Sequence, residues 1–240
     1  MQSMDSYAPQ TLGRWVGWSM LATLIIGISS AFLVAEGIDI NLSADVEATA
    51  QNMLEAEQRL RGKAYIAALT FALDALVSIG LFMLLRKSGQ LLAAWSLLLS
   101  VTAAILSLLG AIFAMNAAEI AGDPAYQNIT NEAQRLMLSG LQATSSYTSF
   151  HLGLILSSFA MAGYFFLFLR SSLIPRIIAG WGLFASLFVG VTIVARDFFP
   201  MLGHETITGA FMISNIIAII ATGVYLSVWG VRGSSGTPTV

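Results

Sequence analysis

Long apolar runs separated by short polar breaks dominate the chain. A helix needs about 20 mainly apolar residues to cross a bilayer, and six stretches qualify: 14–36, 63–86, 90–117, 147–170, 174–197 and 207–230. The pattern predicts an all-α fold, a polytopic membrane bundle of six transmembrane helices in one domain over 1–232, with a flexible tail at 233–240. No span has Pro in its interior; Pro175 falls at the first turn of the fifth, where a missing N–H costs nothing. Broken-helix transporters carry Gly or Pro interruptions, so the unbroken spans speak against that architecture. The run Trp15–Ala35 exceeds the apolar core of a signal peptide, about 7–15 residues, and reads as a retained first span.

Two connections have a weaker, helical periodicity. Residues 43–60 place Val46, Ala50, Met53, Leu54 and Leu60 near helical spacing, and 129–141 do the same with Ile129, Ala133, Leu136, Met137 and Leu141. Both are expected as amphipathic helices lying on the outer surface or capping the bundle. The basic residues then set the orientation. With the N-terminus inside, the inner segments hold Arg14, Arg86, Lys87, Arg170, Arg176 and Arg232, with Asp5 as their acid. The outer segments hold five basic residues (Arg59, Arg61, Lys63, Arg135, Arg196) among the acids. Lys and Arg are nearly balanced, but the short turns at 86–87 and 170–176 are purely basic, which favours both ends inside. Gly17-Trp18-Ser19, Ala94-Trp95-Ser96 and Gly180-Trp181-Gly182 recur at the inner start of the odd spans. They fit three tandem hairpins, or the ordinary enrichment of Trp at membrane interfaces.

Composition agrees with the span pattern. The chain is 57% hydrophobic and 10% charged, against roughly 25% charged in soluble domains, and its mean hydropathy is +0.79. A net charge of −2 gives no basic footprint for nucleic acid. The absence of Cys excludes disulfides, thiolate metal sites and a Cys nucleophile.

Asp74 is the most informative residue. It lies halfway between Lys63 and Arg86, near the bilayer midplane. A charge there costs from about 2.5 to over 10 kcal/mol, so the side chain is expected to face the bundle interior and to be paired or protonated. Thr70, Asp74 and Ser78 share one helix face at a spacing of four. Ser100 and Thr102 of the third span and Ser157 and Ser158 of the fourth fall at similar depth, and no Lys, Arg or His does. Two readings stay open: a proton or cation site in a polar pocket, or a protonated Asp that joins helices by hydrogen bonding.

A second constellation gathers at the outer rim: Glu36, His151, Arg196, Asp197, His204 and Glu205. His and carboxylate side chains are acid–base groups and metal ligands in principle, but no His-Glu-x-x-His motif is present. No cofactor and no metal is expected; a haem or metal held by His151 and His204 is the alternative. There is also no Gly-x-Ser-x-Gly elbow and no phosphate-binding Gly loop. Gly27-x-x-x-Ala31, Gly182-x-x-x-Ser186-x-x-x-Gly190 and Ala210-x-x-x-Ser214-x-x-x-Ala218 read as small-residue faces for close helix packing. Lipids surround such a bundle, and the Gly182, Ser186 and Gly190 face is a candidate contact with a partner subunit or a second copy.

The join Gly163-Tyr164 through Arg170-Ser171-Ser172-Leu173-Ile174-Pro175-Arg176, supported by Asp74 and Leu81-Phe82-Met83-Leu84-Leu85-Arg86, resembles an uncharacterised bacterial six-span family, a domain of unknown function. The resemblance covers most of the chain and implies a bacterial cytoplasmic membrane; it implies no activity. Members of that family often carry an Arg in span three, and this chain has none there. Three functions follow from the residues. The first is a non-enzymatic module that binds or transports a small solute, proton or cation at Asp74. The second is an accessory or scaffold subunit of a larger membrane complex, and the third an outward-facing enzyme using His151 and the outer acids.

Overall fold

The computed structural model describes residues 9–39 and 45–232, and among them there are helices, turns and no strand. Eight α-helices follow in order: α1 (Pro9–Leu33), α2 (Val46–Leu54), α3 (Glu57–Leu85), α4 (Gln90–Gly122), α5 (Pro124–Ile129), α6 (Glu132–Ser171), α7 (Arg176–Arg196) and α8 (Glu205–Trp229). A short 3₁₀ turn, Pro200–Gly203, leads into α8. Helices α1, α3, α4, α6, α7 and α8 are long and apolar enough to cross a membrane. The expected tail lies outside the described residues.

Local chemistry explains where these helices start and stop. Asp45 caps α2 by accepting from the Glu47 and Ala48 backbone N–H groups at 3.0 and 3.1 Å. Asp123 caps α5, accepting from Ala125 N–H at 2.7 Å, with Pro124 in the first turn. Asn131 and Gln134 form a reciprocal capping box that starts α6. From there nothing breaks the helix until Ser172, in the left-handed conformation at φ 55°, and Pro175.

That uninterrupted run corrects one expectation. Residues 129–141 do not form a helix of their own; from Glu132 onward they are the first turns of the 40-residue α6. The amphipathic pattern is the same for a helix on a surface as for a membrane helix that projects beyond it. The 43–60 segment also divides, with α2 ending at Leu54 and α3 already begun at Glu57, six residues before the expected span. At 1.5 Å per residue α6 is about 60 Å long, twice a hydrocarbon core of about 30 Å.

The six long helices form a closed ring in chain order: α1 against α3, then α4, α6, α7, α8 and back to α1. The two ends of the ring differ. One end holds the short turns at 86–89 and 172–175 and the two outermost described segments. Its core is built from Tyr164, Phe165, Phe168, Leu85, Ile174 and Leu226. The Arg232 N–H donates to the Leu173 carbonyl at 2.8 Å, tying the end of the described chain to the α6–α7 turn. A side chain at Gly17 of α1 would meet the Gly223 carbonyl oxygen and the Leu226 backbone at 2.7 and 2.8 Å, so α1 and α8 touch backbone to backbone there. All five Trp residues, Trp15, Trp18, Trp95, Trp181 and Trp229, are exposed on the helix turns of this end, the placement of an interfacial aromatic belt.

The other end carries a cap. Ile38, Met53, Ala56 and Leu60 bury against Ala114, Ala117, Ala118 and Ala143 of the projecting α4 and α6. The Ser139 hydroxyl donates to the Ala50 carbonyl at 3.0 Å, fixing α2 on α6. Gly182, Ser186 and Gly190 are buried inside the chain: Phe165 of α6 lies where a Gly182 side chain would go, and Ser158 lies over Gly190. Gly182 and Gly190 thus pack on α6 of the same chain.

Candidate functional site

Within the ring lies a partly open cavity of about 500 Å³, lined by five of its helices, α1, α3, α4, α6 and α8. Thr70, Asp74 and Ser78 project into it from α3, Ser100 and Ser107 from α4, and Ser157 and Ser158 from α6. The four-residue spacing on α3 accounts for the first set, because it keeps one face inward over two turns. Thr102, expected at the same depth, does not line the cavity; its hydroxyl donates to the Leu98 carbonyl at 2.8 Å.

Asp74 is half-buried and, among the described residues, makes no hydrogen bond or ion pair. The hydroxyls around it are differently placed. Thr70 donates to the Ile66 carbonyl at 2.9 Å, and Ser157 and Ser158 both donate to the Leu154 carbonyl, at 3.0 and 2.7 Å. Their hydrogens are thus spent within their own helices, and the oxygens have lone pairs to offer. Tyr164, fully buried at the base of the cavity, donates its hydroxyl to the Ser78 carbonyl at 3.2 Å and also interacts with Ser100. It links α6 to α3 beneath the carboxylate.

A second cavity of about 380 Å³ continues toward the cap end. Asp74, Thr70, Ser107, Gly27 and Phe150 line both, so Asp74 stands where the two meet. The wall of the second cavity adds Lys63 and Asp39, which form an ion pair with each other. Lys63 lies eleven residues along α3 from Asp74, about 16 Å of helix. The segment bearing Asp39 is held down by two more contacts: Arg59 donates to the Val34 and Glu36 carbonyls, and Asn52 donates to the Gly37 carbonyl at 2.9 Å. Gly37 itself takes φ +76°, a conformation that favours Gly.

The rim residues fall into separate places. His151, buried on α6, sets its Nε2 3.1 Å from Asp197 Oδ2 at the end of α7, with its ring against Tyr147. Arg196 Nη2 donates to the Tyr147 hydroxyl at 3.3 Å. His204 caps α8, its Nδ1 accepting from Thr206 N–H at 3.3 Å, and Glu36 is exposed in the connection after α1. Among the described residues no three His, Asp or Glu side chains gather as a metal site.

Several lining residues were not legible as members of one site. Ser107, Asn215 and Thr23 lie on three different helices, and only the closure of the ring turns them to one centre. Tyr164 had a signal in the sequence, a Tyr in an apolar span whose hydroxyl needs a partner. Met20, Met161 and Met212 also line the cavity.

No curated protein and no solved structure matches the chain. A family described as a domain of unknown function, DUF4386, matches residues 15–230, which takes in all six long helices nearly from end to end. The chain is a multi-span membrane protein of the DUF4386 family.

Proposed function

We propose that the protein is a non-enzymatic module that binds, and in working transports, a cation or proton-carrying solute at Asp74. One observation carries this reading: a carboxylate near the midplane has no partner among the described residues and stands at the junction of two cavities. An intramembrane acid that served only to join helices would be expected to donate to or accept from a neighbouring helix. Asp74 does neither, while Tyr164, Ser78 and Ser100 make the helix-to-helix link beside it. The basic turns at 86–87 and 170–176 support both ends lying inside, so the second cavity would lead outward, past Lys63 and Asp39. A bacterial cytoplasmic membrane is the setting that fits this orientation. The accessory-subunit reading draws less support from this face, because α6 packs against Gly182 and Gly190.

The test is labelling with dicyclohexylcarbodiimide, which modifies carboxyls in apolar surroundings, read by intact mass in lipid nanodiscs. The reading expects one adduct, located at Asp74, absent from Asp74→Asn, and suppressed by monovalent inorganic or organic cations. An adduct at Asp74 that no cation suppresses would count against it.

A further inference from the structure

We propose that the Asp74 cavity takes a lipophilic monocation, an organic cation with one positive charge on an apolar body. This deepens the reading above and rests on Asp74 being the binding group.

The charge follows from the lining. Among the described residues Asp74 is the one carboxylate in the main cavity, and no Lys, Arg or His lines it. Its polar neighbours are hydroxyls and one amide, groups that favour a cation and do not neutralise the acid. A divalent metal ion does not suit this set. Calcium takes 6–8 oxygen ligands and magnesium a tight octahedron, usually with several carboxylates, and a single acid in a cavity of about 500 Å³ offers neither the charge nor the closeness.

The body follows from the rest of the wall. Beyond the polar stripe the cavity is lined by Leu81, Leu154, Phe150, Met20, Met161 and Met212. Unbranched thioethers adapt to apolar groups of different shape, which suits a class of ligands more than one compound. The Phe150 ring adds a face on which a cation can rest. The volume lies within the 300–1,000 Å³ of sites for drug-sized molecules.

Access points the same way. The buried residues of α1 all lie between Gly13 and Met20, and from Leu21 to Leu33 none is buried. The close contacts of α1 with α8 gather at Gly13, Gly17, Gly223 and Gly230, all toward the Trp-belt end. Gly27, which lines both cavities, has nothing within 4 Å of where a side chain would begin. The cavity is thus loosely walled along the half of α1 that runs to the cap, and the bilayer is where amphiphilic cations concentrate.

The experiment compares three probes on the full chain in nanodiscs by thermal unfolding and equilibrium binding. Benzyltrimethylammonium carries both features, tetramethylammonium only the charge, and neopentylbenzene, its uncharged isostere, only the body. The expected result is binding of benzyltrimethylammonium at least tenfold tighter than tetramethylammonium, no saturable binding of neopentylbenzene, and at least a tenfold loss in Asp74→Asn. Saturable binding of neopentylbenzene as tight as the cation overturns the proposal by making charge irrelevant. Equal binding of the two cations also overturns it, yet leaves Asp74 as a site for small hydrophilic cations. The wild-type comparison decides the matter even if Asp74→Asn fails to fold.

Discussion

Tyr164 of α6 donates its hydroxyl to the backbone carbonyl of Ser78 on α3, 3.2 Å away and 86 residues apart in sequence. Tyr164 is buried at the base of the cavity and Ser78 lies one turn beyond Asp74. The bond therefore fixes the register of the two helices that carry most of the polar lining. Tyr164→Phe keeps the ring and removes the donor, and the Ser78 carbonyl keeps its helical partner. A loss of about 0.5–1.5 kcal/mol is expected, read as a lower unfolding midpoint in detergent. A larger fall in cation affinity than in stability would mark Tyr164 as a positioning residue for the site.

Two glycines of α1 make opposite predictions. At Gly17 a methyl group would run into the backbone of Gly223 and Leu226, which cannot rotate away. Gly17→Ala should destabilise by about 1–3 kcal/mol or force α1 off α8. At Gly27 nothing stands in the way, and Gly27→Ala should be neutral or mildly stabilising, since Gly lowers helix stability by roughly 0.5–1 kcal/mol. Thermal unfolding of the two variants side by side checks whether α1 is held only at one end; equal losses would contradict that.

His151 and Asp197 are the pair that joins α6 to the end of α7, at 3.1 Å, with His151 buried and Asp197 half exposed. A double-mutant cycle of His151→Phe and Asp197→Asn should give a coupling of about 0.5–2 kcal/mol in stability. Cation binding at Asp74 should persist in both single variants. Loss of binding with stability retained would move the functional centre from α3 to this pair.

Orientation can be read with single cysteines, because the chain has none of its own. Lys87 lies exposed in the α3–α4 turn and Glu47 exposed on α2. In cells, Lys87→Cys should react with membrane-impermeant maleimide only after permeabilisation, and Glu47→Cys before it. The reverse pattern would invert the proposed topology.

The six spans were legible because about 20 apolar residues in a row have few other uses. Their ends were not. Glu57, Gln58 and Arg59 read as part of a separate outer helix over 43–60, yet they begin α3, where Arg61 pairs with Glu57 and Glu119 at 3.0 and 2.9 Å. The Asp74 stripe could be read from one helix alone, since Thr70 and Ser78 follow from the helical period. The cavity could not, because Ser107, Asn215 and Thr23 gain meaning only from the order in which helices close the ring. Small-residue patterns carried half the information: Gly182, Ser186 and Gly190 do form a packing face, but the spacing does not say that Phe165 and Ser158 of the same chain fill it.

The most direct measurement is cation-induced infrared difference spectroscopy of the protein in lipid, wild type against Asp74→Asn. The account predicts a carboxyl or carboxylate band that changes when the cation binds and is missing from the variant. Identical difference spectra from the two proteins would show that the cation does not meet Asp74, and would contradict the central claim.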